Sequence, residues 1–359
     1  MKNKHLVILG IVALIMVVLT VIVSTESTRK TDTFAKGSYL VQGLNPGKVN
    51  RIYMERYGDS VELKRSESGF LIANKGGYPA KSDRVNGIFY AVTEIRCGSK
   101  ITSNKDNYPT LGVDGGEEST FIRFFGEDGK KIVGIIIGKI KENDKGLRFY
   151  VRLEGGEDVY LTEKYITFLN TDYGGYITER ILSGEKESYN RMTVRNRRGS
   201  YEFIKKNGAF ALKGVSGADK LDQNKIDDLV QKAVGLRIFD IFAGDTAPTG
   251  LAFDTEMRLY KDDKTWYRVR LGEKEGKCYA AVEAHTDFDA EKITITKDES
   301  EESLKEKESL LVARDAVEGF NNLNRAWIYE VGDRNLKFLE NTPVDLLKEA
   351  KPASESSGK

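Results

Sequence analysis

The chain has 359 residues, a charged fraction of 31% and a formal net charge of +1. That length suffices for two ordinary domains, each closing its own core. The balanced charge offers no electrostatic footprint for nucleic acid or another polyanion.

In chain order the first feature is an uncharged apolar run from Leu6 to Val23, interrupted only mildly by Gly10 and Thr20. At about 1.5 Å per residue it spans roughly 27 Å, close to the hydrocarbon thickness of a bilayer. Signal-peptide cores are usually only about 7–15 residues long. No A-x-A-like cleavage site follows, since the next stretch reads VSTES, and no Cys lies near enough for a lipoprotein anchor. Residues 1–30 are therefore expected to form an uncleaved transmembrane anchor. Lys2 and Lys4 precede the run, and Arg29, Lys30 and Lys36 follow it, so counting basic residues does not orient it. The expected arrangement is the common one, with a short tail inside and a large body outside, at the cell membrane.

The body says nearly the same thing twice. NRIYMERYGDSVEL (50–63) returns as NRMTVRNRRGSYEF (190–203). Ile52, Met54, Val61 and Leu63 match Met192, Val194, Tyr201 and Phe203 at one constant spacing. Such alternation belongs to strands with one buried face. Gly58-Asp59 and Arg198-Gly199 are expected to supply the turns of two hairpins. GFLI (69–72) and GAFAL (208–212) give a further strand in each copy.

A helix is expected next. SDRVNGIFYAVTEIR (82–96) opens on Ser82-Asp83, good N-cap types, and its counterpart is DQNKIDDLVQKAVGLR (222–237). Val85, Ile88, Phe89, Val92 and Ile95 form an apolar stripe, matched by Ile226, Leu229, Val230, Ala233 and Leu236. YPTLGV (108–113) and APTGLAF (247–253) then share Pro-Thr. Strands follow at 121–125, 131–138 and 146–153, against 257–260, 266–272 and 276–283, with Gly138 and Gly272 read as strand ends. These strands are expected to build a second β layer.

The period, roughly 140 residues, lies far beyond the 20–50 of a solenoid. The reading is a transmembrane helix followed by two tandem, duplicated α+β domains with mostly antiparallel sheets. Residues 31–183 form the first repeat with its linker and 184–340 the second. Within the latter, 294–323 is a charged helix with Leu304, Leu311, Val317 and Phe320 on one side, and AWIYEV (326–331) a closing strand. Residues 341–359 are expected to hold a short helix, with Pro343 near its first turn, and a disordered tail.

The order of an anchor, LNPGKVNRI (44–52), a charged hairpin, GFLI (69–72), YPAKSDRVNGIFYAV (78–92), a Tyr-x-x-Leu-Gly-Val segment (108–113) and a strand ending in Ile137-Gly138 resembles the bacterial DUF4340 family. The family more often carries Trp where Phe70 stands. The resemblance runs over residues 44–290 and is strongest in the first copy. It implies association with ABC-2-type export or gliding-motility auxiliary systems, with permease or ATPase subunits as partners, and supplies no functional residues.

Chemistry-bearing motifs are sparse. His5 flanks the apolar run and His285 is the only other histidine, so a Ser-His-Asp, Cys-His or multi-His metal site is hard to assemble. His285 is expected at a strand-end surface position. DFDAE (287–291) resembles a calcium loop, but Lys292 stands where Gly is required and Asp298 where Glu is. NKGGYP (74–79) and DGGEES (114–119) lack the ending of a phosphate loop and read as turns. RNRRG (195–199) concentrates charge at a hairpin tip, as a solvated surface or a docking spot for an acidic partner or lipid headgroup. Cys97 and Cys278 are expected to be plain buried thiols. Trp266 and Trp327 are expected in the core, and a groove between the copies is a geometrically attractive place for a ligand.

No catalytic, cofactor-binding or metal-binding residue is assigned, no cofactor is implied, and no enzyme activity is expected. The expected function is that of a membrane-anchored, non-catalytic accessory protein of an ABC-type export or cell-envelope complex. The alternatives are an anchored binding module for envelope glycans or lipids and, behind it, an anchored hydrolase, for which no carboxylate pair stands out.

Overall fold

The computed structural model describes residues 34–143, 146–167, 169–182, 184–213, 222–288, 293, 299–332 and 342–346. The expected anchor, the tail from residue 347 onward, and most of the calcium-like loop (289–292) lie outside the described residues. Among the described residues, no helix is long and apolar enough to cross a membrane. Among the described residues the chain forms two compact units, one within 34–74 and 80–176, the other within 75–79 and 177–346. The protein is α+β, and each unit carries an antiparallel sheet.

The strands of the first unit are Arg51–Arg56 (β1), Asp59–Ser66 (β2), Gly69–Ile72 (β3), Cys97–Thr102 (β5), Thr120–Phe125 (β6), Lys131–Asn143 (β7), Gly146–Leu153 (β8) and Val159–Thr162 (β9); the two-residue strand β4 is Tyr78–Pro79. Within the unit the order is β3-β2-β1-β6-β7-β8-β9-β5. Helix α1 (Ser82–Thr93) connects β3, at one edge, to β5 at the other, so it must cross the sheet. Its buried Phe89 meets Phe124 of β6 at 5.6 Å and Phe70 of β3 at 6.2 Å. That face also buries Ile52, Met54, Val61, Leu63 and Ile122 completely.

The strands of the second unit are Arg191–Asn196 (β10), Gly199–Lys206 (β11), Ala209–Leu212 (β12), Ile238–Ala243 (β13), Thr255–Tyr260 (β14), Thr265–Lys274 (β15), Lys277–Thr286 (β16) and Trp327–Val331 (β17). Their order, β12-β11-β10-β14-β15-β16-β17-β13, follows that of the first unit strand for strand. A single helical turn, Tyr108–Leu111, is α2, and the helix after β12 is α3 (Gln223–Val234), with Ile226, Leu229, Val230 and Ala233 buried. In both units the chain ahead of the first hairpin pairs with the chain just past the helix: Leu40 N donates to Ile95 O at 2.8 Å, and Ile181 N to Leu236 O at 3.1 Å. The second unit also carries α4 (Glu301–Asn324) between β16 and β17.

Several expectations need correction. The later strands form no second β layer, because β6 pairs directly with β1, and β14 with β10. One continuous sheet results in each unit. The first hairpin turns on Tyr57-Gly58, with φ of 51° and 82°, the mirror-image turn that suits strand twist. The second turns on Arg197-Arg198, with Asn196 Oδ1 accepting from Arg198 N at 2.9 Å. Asp59 and Gly199 are first residues of strands. Helix α1 is capped by Lys81 without a side-chain hydrogen bond, while Asp222 caps α3 by accepting from Asn224 N and Lys225 N. Gly138 and Gly272 lie inside β7 and β15. Strands β5, β9 and β13 add to the elements expected from the sequence.

Candidate functional site

Each sheet has one face turned to its helix, and the other carries most of the charged side chains; in the first unit Ile136, paired with Phe121 on that second face, also joins a buried cluster with Tyr108, Val113 and Val159. In the second unit the register builds the polar face row by row. Thr193, Arg258, Arg268 and Glu283 stand side by side across β10, β14, β15 and β16. One row along, Arg191, Tyr260, Trp266 and His285 do the same.

The charges on this face largely satisfy each other. Glu283 accepts from Arg268 at 2.6 Å and faces Arg270 at 3.5 Å. Burial pushes the Glu283 carboxyl upward, but the hydrogen bond and charge of Arg268, with Arg270 and Arg325, hold it below the usual range. Arg258 pairs with Glu256 at 2.7 Å and Lys213 with Glu202 at 2.8 Å.

The aromatic row is a stack. Trp266 lies 4.2 Å from His285 at an interplanar angle of 16°, and 5.8 Å from Tyr260 on its other side at 28°. Its Nε1 donates to Asp287 at 2.7 Å. Arg191 covers Tyr260 at 3.5 Å. Trp266 is therefore not a core residue as expected: Val269 and Leu271 of the same strand take the core positions. Both its ring faces are occupied, which leaves no open platform for a sugar. Trp327 is buried as expected.

His285 lies near the end of β16, half-buried as one end of this stack, with Nε2 3.5 Å from Glu283. Burial first, then the Arg268 charge, depress its pKa. Cys97 and Cys278 are free and buried, and burial pushes both thiols up to about 12. Among the described residues, no group of three His, Cys, Asp or Glu side chains comes together around a metal-sized space.

Beside the RNRRG tip the polar face opens into a groove of about 380 Å³, lined by Thr193, Arg195, Ser200, Glu202, Lys213, Glu256 and Arg258 among others. Of the charged residues singled out at that tip, Arg195 reaches the groove and Arg197 pairs with Asp254. No local pattern in the sequence marks this groove.

These features define a two-unit α+β protein whose sheets present charge-laddered polar faces. The model of the DUF4340 family, a domain of unknown function, matches residues 71–253, just over half of the chain. The chain belongs to that family. No curated protein and no solved structure matches it.

Proposed function

We propose that this protein is a membrane-anchored accessory component of an ABC-type export or cell-envelope complex, working by contact rather than by catalysis. In this reading it is held by Leu6 to Val23, with its body on the extracytoplasmic side. The observation that carries the proposal is the uncharged run of bilayer length set ahead of two units with broad ion-paired sheet faces. Paired charges on a flat sheet give an interface register and selectivity more than raw affinity.

The two units descend, in this reading, from one duplicated segment. The shared strand order supports that, as do the matched pairings Arg51–Phe125 and Arg191–Tyr260 in equivalent registers. Duplicated bodies of this kind offer two related docking surfaces from one anchor.

The test is gentle solubilisation of the tagged full chain, followed by identification of what copurifies. A permease or ATPase subunit should be recovered in stoichiometric amount, and protease added to intact cells should reach the body. Repeated recovery of the protein alone would count against the proposal.

A further inference from the structure

The groove beside Arg195 has a direct internal control, because the first unit builds the same corner of its sheet from different residues. Tyr53 pairs with Glu62 and Arg123, and Glu55 with Ser60 and Phe121. In the second unit Thr193 pairs with Glu202 and Arg258, and Arg195 with Ser200 and Glu256. The registers are identical, so Tyr53 corresponds to Thr193, Glu55 to Arg195, and Phe121 to Glu256.

In the first unit two rings, Tyr53 and Phe121, stand at this corner. The Arg123 guanidinium lies 4.5 Å from the Phe121 ring and 5.9 Å from the Tyr53 ring, and Tyr53 donates to Glu55 at 2.8 Å. In the second unit both rings are gone, which leaves the groove of about 380 Å³. The fold itself does not require an opening there.

The charge changes in the same direction. At this corner the first unit has Glu55, Glu62 and Arg123, with Ala73 following β3, and is net negative. The second has Arg195, Lys213 and Arg258 against Glu202 and Glu256, with Lys213 following β12, and is net positive. Glu256 is taken by Arg258 and Glu202 by Lys213. Among the described residues Arg195 has no ion-pair partner, although it is exposed directly across from Glu256. The Thr193 and Ser200 hydroxyls stand beside it.

We infer that this groove is a binding site for a small hydroxylated molecule carrying a phosphate or carboxylate group. The anion is seated on Arg195, with Lys213 and Arg258 at the rim. A guanidinium with no carboxylate partner offers a bidentate fork to such a group. Thr193, Ser200 and the outer lone pairs of Glu202 and Glu256 serve the ligand's hydroxyls. The inference goes beyond the docking role proposed above and does not depend on it.

The first unit supplies the variants. Thr193→Tyr with Glu256→Phe refills the space with residues this fold already accommodates, and Arg195→Glu installs the first unit's charge. Titration calorimetry on the purified full chain uses glucose 6-phosphate, glucuronate and glucose as probes. At least one of the two anions should bind saturably, at one site per chain and about tenfold or more tighter than glucose, the scale of one charge-assisted hydrogen bond. Preference between the anions then tells phosphate from carboxylate. Both variants should lose that binding while keeping the thermal midpoint; if the double variant does not fold, Arg195→Glu and Lys213→Ala decide. Absence of saturable binding by either anion up to roughly 50 mM, or unchanged binding in the variants, would overturn the assignment.

Discussion

The carbonyl oxygen of Leu111 lies so close over Gly138 that a Cβ on that glycine would stand 2.3 Å from it. In the second unit Ala252 stands in the same relation to Gly272, at 2.2 Å. The two Pro-Thr segments thus cross their sheets at the one residue type that leaves room for backbone. Gly138→Ala and Gly272→Ala should each destabilise the protein by about 1–3 kcal/mol or more, since the opposing atoms are main chain and cannot swing aside. Chemical denaturation of each variant checks this; unchanged midpoints would show that the crossing loops give way freely.

Asn321 of α4 closes the exposed edge of β16 with both ends of its carboxamide. Its Oδ1 accepts from Ala284 N at 2.8 Å and its Nδ2 donates to Ala284 O at 2.9 Å. β17 pairs with β16 only from Cys278 to Ala280, so Asn321 continues as a side chain what the strand leaves off. Asn321→Leu should cost about 1–3 kcal/mol, the penalty of stranding two backbone groups. It should also speed amide exchange at Ala284 ahead of the rest of the strand. Equal exchange rates in variant and parent would remove the edge-closing role.

The buried thiols make a separate prediction. With Cys97 and Cys278 both raised to about 12 by burial, the thiolate fraction at pH 8 is negligible. A thiol reagent should leave both unmodified in the native protein and label both once denaturant is added. Rapid native labelling of Cys97 would mean that β5 opens locally.

How much of this was legible in the sequence depended on how regularly each strand alternates. Strands β1, β2, β10 and β11 show one buried and one open face, so Ile52, Met54, Met192 and Val194 reveal them. Strand β9 buries all of Val159, Tyr160, Leu161 and Thr162, which removes the two-residue period altogether. In β5 only Cys97 and Gly98 are buried, and Gly98 lies flat against Leu161 O, where a Cβ would stand 2.6 Å away. Trp266 was legible in principle, since Val269 and Leu271 fix the core phase of β15 and put position 266 on the other face. The groove was not legible, because it needs Phe121 and Glu256 brought opposite Glu55 and Arg195, and only the β1–β6 and β10–β14 registers do that.

His285 gives the protein a dependence on pH with a definite sign. Its ring is stacked on Trp266, and burial first, then Arg268, Arg325 and Arg258, disfavour a positive charge there, opposed by Glu283. Its folded pKa therefore lies below the unfolded value of about 6.5. Folding favours the neutral ring, so this contribution is fully present above that value and is lost as pH falls from it toward the folded pKa. Glu283, also depressed, adds a loss of the same sign only at lower pH, from the ordinary carboxylate value downward. His285→Phe keeps a ring on Trp266 and cannot titrate. Unfolding free energy measured against pH should fall as pH drops below about 6.5 in the parent and stay flatter just below that value in the variant, while both still decline at lower pH. An identical slope in the two proteins would show that the stack and its neighbouring charges leave the titration of His285 unperturbed, and would remove this contribution.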